Sequence, residues 1–231
     1  MKNAILMTAF LGSSIVMSAA DFSEKDASLK GFRQAYNRTD SAKVADNALQ
    51  LTDGGIATTQ AIAVPGAKYK DKEVKKLIIS LEVADSKGHH GIQIGFVSND
   101  KDDVMSTAPH VRVGITEISS KSPSNWFMQS ESSDNKQIAT DIVKNDDYPL
   151  GADFSGKNWK VKMEMDSEKV SVYFAKEGAV FGEKPNWELK HHQDFSKWNK
   201  GVFAAIYTSV KVGDFDNSLK ISKFGFDAIT E

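Results

Sequence analysis

Four polar residues sit where apolar neighbours alternate with them. Gln93 lies between Ile92 and Ile94, His110 and Arg112 flank Val111, and Tyr207 falls in the apolar run Gly201 to Val210. In an extended chain successive side chains point to opposite faces, so Gln93, His110 and Arg112 face away from the isoleucines and valines beside them. If the strands are neighbours, amide, imidazole, guanidinium and phenol share one sheet face. Such a set offers hydrogen-bond donors and acceptors to a hydroxyl-rich ligand, a cation to meet a carboxylate, and a His or Tyr to move a proton. Trp126 follows Ser122-Pro123-Ser124-Asn125 and would stand at the rim of that face, where a flat ring can stack on a sugar. The ligand-binding candidates are therefore Gln93, His110, Arg112, Trp126 and Tyr207.

Other chemistry finds less support. Glycoside hydrolysis needs two carboxylates roughly 5–10 Å apart across a cleft. Glu131-Ser132-Ser133-Asp134 comes nearest, and it reads as a turn, so no catalytic residue is assigned. Trp187 and Trp198 are weighed beside Trp126 as stacking rings, although burial is the commoner state of a tryptophan; Trp159, in phase with Val161 and Met163, reads as core. His89-His90 and His191-His192 are adjacent pairs whose rings diverge in a strand, and they read as exposed loop histidines rather than zinc ligands. Asp214, Asp216 and Asn217, and a second acidic loop with Asn99, Asp100, Asp102 and Asp103, offer oxygen ligands of the type calcium takes; a structural calcium at Asp214, Asp216 and Asn217 is the one metal candidate, and no cofactor is assigned with it.

These residues must be held by strands. Leu77, Ile79, Leu81 and Val83 alternate with Ile78, Ser80 and Glu82; Ile92, Ile94, Phe96 and Val111, Val113, Ile115 repeat the pattern. Trp159 to Met165 and Val170 to Phe174, joined by Asp166-Ser167-Glu168, form a hairpin by spacing. Residues 201–210 read as a strand buried on both faces, and Leu219, Ile221, Phe224 and Phe226 as a closing strand. Residues 21–47 are weakly patterned, with a short strand near Phe32 to Tyr36, and the lysines from Lys68 to Lys76 read as a solvated edge or loop. A dozen short strands predict an all-β protein of two antiparallel sheets, apolar faces together.

The N-terminus carries a separate message. Lys2 precedes an apolar stretch from Ala4 to Met17, then Ser18-Ala19-Ala20, which is the pattern of a cleavable signal peptide. The stretch is shorter than the roughly 20 residues of a membrane span. Residues 1–20 are thus expected to be removed after Ala20, leaving 21–231 as one secreted or periplasmic domain with no membrane span. The chain has no cysteine, so its core alone must stabilise it outside the cell. A net charge of −2 lacks the basic excess that nucleic-acid binding needs.

The C-terminal half resembles the concanavalin A-like lectin/glucanase superfamily of jelly rolls, LamG-like domains among them. The residues carrying the resemblance are Asn158-Trp159-Lys160-Val161, the run Lys169 to Gly178, Trp187-Glu188-Leu189, Gly201-Val202-Phe203-Ala204-Ala205, and Asp214-Phe215-Asp216-Asn217 before Leu219-Lys220-Ile221. The resemblance implies a jelly-roll sandwich with the Gln93–Arg112 face concave. The superfamily includes lectins, carbohydrate-binding modules, glycoside hydrolases, polysaccharide lyases and adhesion domains, so the resemblance specifies fold and not activity; the reading taken first is a carbohydrate partner bound without catalysis. The alternatives are a glycoside hydrolase or polysaccharide lyase using that face, or a structural or adhesive envelope protein. Hydrolases of the superfamily carry an E-x-D-x-x-E strand that is missing here. The lyase strands R-x-E-x-R and Q-I-H are matched only in Arg112 and in Gln93-Ile94.

Overall fold

Where apolar and polar residues alternate, the chain runs as strands: β1 (Ser13–Asp21), β2 (Arg33–Gln34), β3 (Ala42–Ala45), β4 (Ala48–Thr52), β5 (Ile56–Thr58), β6 (Lys68–Tyr69), β7 (Lys72–Lys87), β8 (Ile92–Val97), β9 (His110–Thr116), β10 (Asn125–Glu131), β11 (Gln137–Val143), β12 (Trp159–Met165), β13 (Lys169–Lys176), β14 (Trp187–Lys190), β15 (Phe203–Thr208) and β16 (Ser218–Thr230). The computed structural model describes residues 13–22, 33–34, 41–52, 54–59, 61–87, 92–98, 109–116, 125–131, 137–143, 158–191, 193–198, 200–208 and 218–231. For 13–21, 33–34, 125–131, 137–143 and a few strand ends the description is of backbone alone.

Among these residues two antiparallel sheets form. The first runs β14-β13-β12-β7-β16-β4-β3, with β1 beside β16 and β6 beside β7; the second runs β11-β10-β9-β8-β15-β5-β2. Both send their apolar rows inward. Leu77, Ile79, Leu81, Trp159, Val161, Met163, Phe224 and Phe226 of the first sheet share one buried cluster with Ile94, Phe96, Val111, Val113, Ala204 and Ile206 of the second. Phe96 and Phe226 meet across the gap with ring centroids 6.4 Å apart. Each such side chain removed from water contributes about 1.5–3 kcal/mol, and that sum holds a disulfide-free sandwich together. The two-sheet antiparallel expectation is met, and β15 is buried on nearly every residue as its composition implied.

The turns show what alternation alone does not reveal. Asp46-Asn47 joins β3 to β4 with both residues at positive φ (52° and 59°), and Lys70-Asp71 joins β6 to β7 likewise (49° and 65°). Two-residue hairpins need left-handed backbone at both central positions, which Asn and Asp tolerate best. The lysine-rich stretch is therefore a hairpin leading into a sixteen-residue strand, not a loop. Between β12 and β13, Asp166 Oδ1 accepts from the backbone N–H groups of Glu168 and Lys169 at 2.8 and 2.9 Å, closing the expected turn.

In the full chain, β1 lies antiparallel along β16, from Ser13 opposite Thr230 to Asp21 opposite Lys223. Phe22 follows, fully buried. All of β1 but Asp21 falls within the expected leader. No helix among the described residues is long and apolar enough to cross a membrane.

Candidate functional site

Three register rows of the second sheet share the phase opposite to that of Ile94 and Val113. The first row is Ile56–Tyr207–Gln93–Gly114–Phe127–Ile142; the next is Arg33–Thr58–Ala205–Gly95–Arg112–Gln129–Thr140. The third holds Phe203, Val97, His110 and Glu131. Cross-strand partners share a face, so Gln93, His110, Arg112 and Tyr207 do come to one surface, on three adjacent strands.

Their environments differ along it. Ile56, Val97, Phe203 and Ala205 form a second, smaller buried cluster on this outer side, with Ala61 and Tyr207 packed against it. His110, between Val97 and Glu131 in register, has no exposed surface, and its carbonyl accepts from the Gln193 side-chain amide at 3.2 Å. It belongs to the covered end of the face and not to a ligand surface. Gln93, Arg112 and Tyr207 are half-buried. They make the polar strip that remains.

Arg112 Nη1 donates to Gln93 Oε1 at 2.8 Å. Gly95 lies beneath this contact: it is Arg112's register partner, and a Cβ there would come within 2.9 Å of Arg112 Cα and Cβ and 2.6 Å of Val111 O. On the other side of Gln93 the register partner is Gly114. Two positions without a side chain thus flank the pair, and backbone forms the floor beside the guanidinium.

Trp126 pairs with Ile115, one residue out of phase with this face; the residue in register with Gly114 is Phe127. Trp126 thus takes the phase of Ile94 and Val113, and its side chain lies outside the described residues. Trp159, Trp187 and Trp198 are all buried, so none of the three offers a stacking ring to solvent. Trp198 sits edge-on to Phe195, with centroids 5.5 Å apart, and Phe195 is edge-on to His191 at 5.9 Å. His191 is 1% exposed, so it is a packed residue after β14 and not the surface histidine that its position beside His192 suggested. His89, His90, Asn99, Asp100, Asp102, Asp103, His192, Asp214, Asp216 and Asn217 lie outside the described residues. Among the described residues no three His, Asp or Glu gather to hold a metal.

The outer face of the first sheet is built differently. Its lysines meet glutamates: Lys76 and Lys162 both reach Glu164 (2.9 and 2.7 Å), Lys223 reaches Glu82 at 3.2 Å, and Lys169 reaches Glu188 at 2.7 Å. Lys162 also stands 4.0 Å from the centroid of the Tyr173 ring. Partial burial pushes Glu164 upward, yet the hydrogen bonds and charges of Lys162 and Lys76 outweigh it and hold the carboxyl below its ordinary range. Among the described residues this face pairs several of its lysines with glutamates.

No protein-family model matches the sequence, and no curated protein matches it. Solved structures do share its fold. Lectin I-B4 from Griffonia simplicifolia, in a metal-free form, has 14% identity over 93% of this chain and 99% of that one, with a TM-score of 0.58. Peanut lectin with a nine-residue peptide has 15% identity over 95% and 99%, with a TM-score of 0.59. A GH43 protein from Bacillus licheniformis has 13% identity over 90% of this chain, which spans 38% of that one, with a TM-score of 0.54. The likeness is one of fold: this chain has the concanavalin A-like jelly-roll sandwich.

Proposed function

We propose that this chain is an exported, lectin-like domain that binds carbohydrate without catalysing a reaction on it, at the outer face of β8, β9 and β15. One observation carries the reading. Arg112 and Gln93 are fixed to each other at 2.8 Å in a half-buried strip, with Tyr207 on the adjoining strand and glycine on either side. Sugars present hydroxyls on their rims and C–H groups on their faces. Oriented amide and guanidinium donors suit the first and an aromatic ring the second. Solved structures of the same fold include a lectin from Bauhinia forficata in complex with GalNAc and basic winged bean lectin with Tn-antigen, which supports carbohydrate as the ligand class. The outward rows through Gln93 and Arg112 contain no aspartate or glutamate at any register position. They supply none of the paired acids of a hydrolase.

The proposal includes export, with the mature chain starting at Asp21, and a structural calcium at Asp214, Asp216 and Asn217. Mass spectrometry of secreted or periplasmic material reads the first directly. A glycan array with the mature protein, with and without EDTA, tests the rest. Retention of at least one glycan at millimolar affinity or better is expected, weakened by Tyr207→Ala; no retained glycan overturns the reading.

A further inference from the structure

We propose that β16, once residues 1–20 are removed, takes up an extended strand of another polypeptide, added antiparallel along Lys223 to Thr230 with small residues opposite Phe224 and Phe226. The inference rests on the leader removal proposed above and not on the carbohydrate site.

The full chain shows the place filled. β1 runs beside β16 from Ser13 opposite Thr230 to Asp21 opposite Lys223. On its other flank β16 pairs with β7, from Lys223 opposite Glu82 to Thr230 opposite Val74. β4 lies on the same side as β1 and reaches only to Ile221, opposite Leu49. Between the two, the Ser222 carbonyl accepts from the Phe22 N–H at 2.7 Å. Phe22 stays with the mature chain, so the edge that opens begins at Lys223. An edge that has lost its strand offers a row of backbone donors and acceptors, and another extended chain can pair with them. Its inward row is apolar. Phe224, Phe226 and Ala228 belong to the main buried cluster, and Thr230 is buried beside them. Withdrawal of β1 brings that row to the flank of the sandwich, where cover by a new strand is favoured.

Register specifies the occupant. Cross-strand partners share a face. Ile15 stands opposite Ala228, Ser18 opposite Phe226 and Ala20 opposite Phe224. The larger residue meets alanine, and small residues meet both phenylalanines. The register shift between Val16 and Ser18 secures this match, because uninterrupted pairing would set Met17 opposite Phe226. A second copy of β16 fits the edge less well. Two such strands must pair with residues of like phase opposite, since a one-residue slip turns the apolar row outward. The registers of longest overlap between Lys223 and Thr230 set Phe226 opposite Phe226, or Asp227 opposite Asp227. The first crowds two rings where β1 places serine. The second sets like charges directly opposite, which is destabilising, and a charge on an edge strand is a known guard against self-pairing. The occupant is therefore a different chain.

The leader strand is the probe. A synthetic peptide of Ser13 to Ala20 is titrated against exported protein whose start at Asp21 is confirmed by mass spectrometry. A Ser18→Phe peptide and a scrambled peptide are run beside it. Saturable binding of the first is expected, with amide exchange slowed over Phe224–Thr230 and unchanged at Leu219 and Ile221. The Ser18→Phe peptide should bind roughly tenfold more weakly, and the scrambled peptide should give no protection. No binding, or equal binding of all three peptides, overturns the proposal. Protection of Phe224–Thr230 that grows with protein concentration in the absence of peptide also overturns it, by making a second copy the occupant. Exported protein that retains residues 1–20 removes the leader reading and this inference together; failure of the peptide on protein starting at Asp21 removes this inference alone.

Discussion

Arg112 reaches diagonally across the sheet to Gln93, passing over Gly95, which is its own partner on the neighbouring strand. Diagonal neighbours on adjacent strands lie within reach of a long side chain such as arginine. Gly95 is needed for a separate reason: a Cβ there would lie 2.6 Å from Val111 O and 2.9 Å from Arg112 Cα and Cβ.

Gly95→Ala is accordingly expected to destabilise the protein by about 1–3 kcal/mol, because the new Cβ meets backbone at Val111 and Arg112 that cannot rotate away. Gly225→Ala makes the comparison. There the obstacle is Ser80 Oγ at 2.7 Å, a hydroxyl that can turn, so the cost is smaller. Urea denaturation of both variants should rank them in that order, and an equal or reversed ranking would discredit the close backbone approach as the reason for glycine at 95.

Glu164 predicts a pH dependence. Its carboxyl sits below the ordinary value in the folded chain, because Lys162 and Lys76 outweigh the effect of burial. Its contribution is therefore present above the unfolded value and is lost as pH falls through the lower folded one. Glu164→Gln should lose on the order of 1 kcal/mol near pH 7, and the gap to the parent protein should close in acid. A gap unchanged from pH 7 to below pH 4 would count against the network.

Asp227 carries the opposite sign. Burial holds its carboxyl above the ordinary value, and Oδ1 is enclosed without a hydrogen-bond partner. Such a group favours folding only while protonated, and its stabilisation is lost as pH rises through the raised value. Asp227→Asn should thus raise stability at neutral pH, by about 1 kcal/mol, with the gain vanishing below the ordinary carboxylate range. Thermal melts of the two proteins across that range decide it.

Strand β1 covers the half of β16 that runs from Lys223 to Thr230, while β4 covers Ser218 to Ile221. Removal of residues 1–20 would uncover that half, whose outward N–H groups then exchange with solvent. Hydrogen exchange should show faster labelling over Phe224–Thr230 in the mature protein than in a full-length chain with its cleavage site blocked. Leu219 and Ile221 should label alike in both. Equal protection at Phe224–Thr230 would show that β1 does not lie along β16.

What the sequence by itself determined is local: which segments are strands and which side of each is greasy. The period of two is a property of each segment alone, so Leu77 to Val83, Val111 to Ile115 and Trp159 to Met165 were legible without a partner in view. The shared face of Gln93 and Arg112 followed from the same period once β8 and β9 proved to be neighbours. Tertiary structure decided everything that depends on pairing and cover. Register, set by hydrogen bonds to distant residues, put Phe127 rather than Trp126 beside Gly114. Packing over Val97 and Phe203 enclosed His110, although alternation gave it the same phase as half-buried Arg112. Burial of His191 against Phe195 arose from a turn whose contacts lie outside any strand period. Periodicity reports the direction of a side chain; the rest of the chain decides what it meets there.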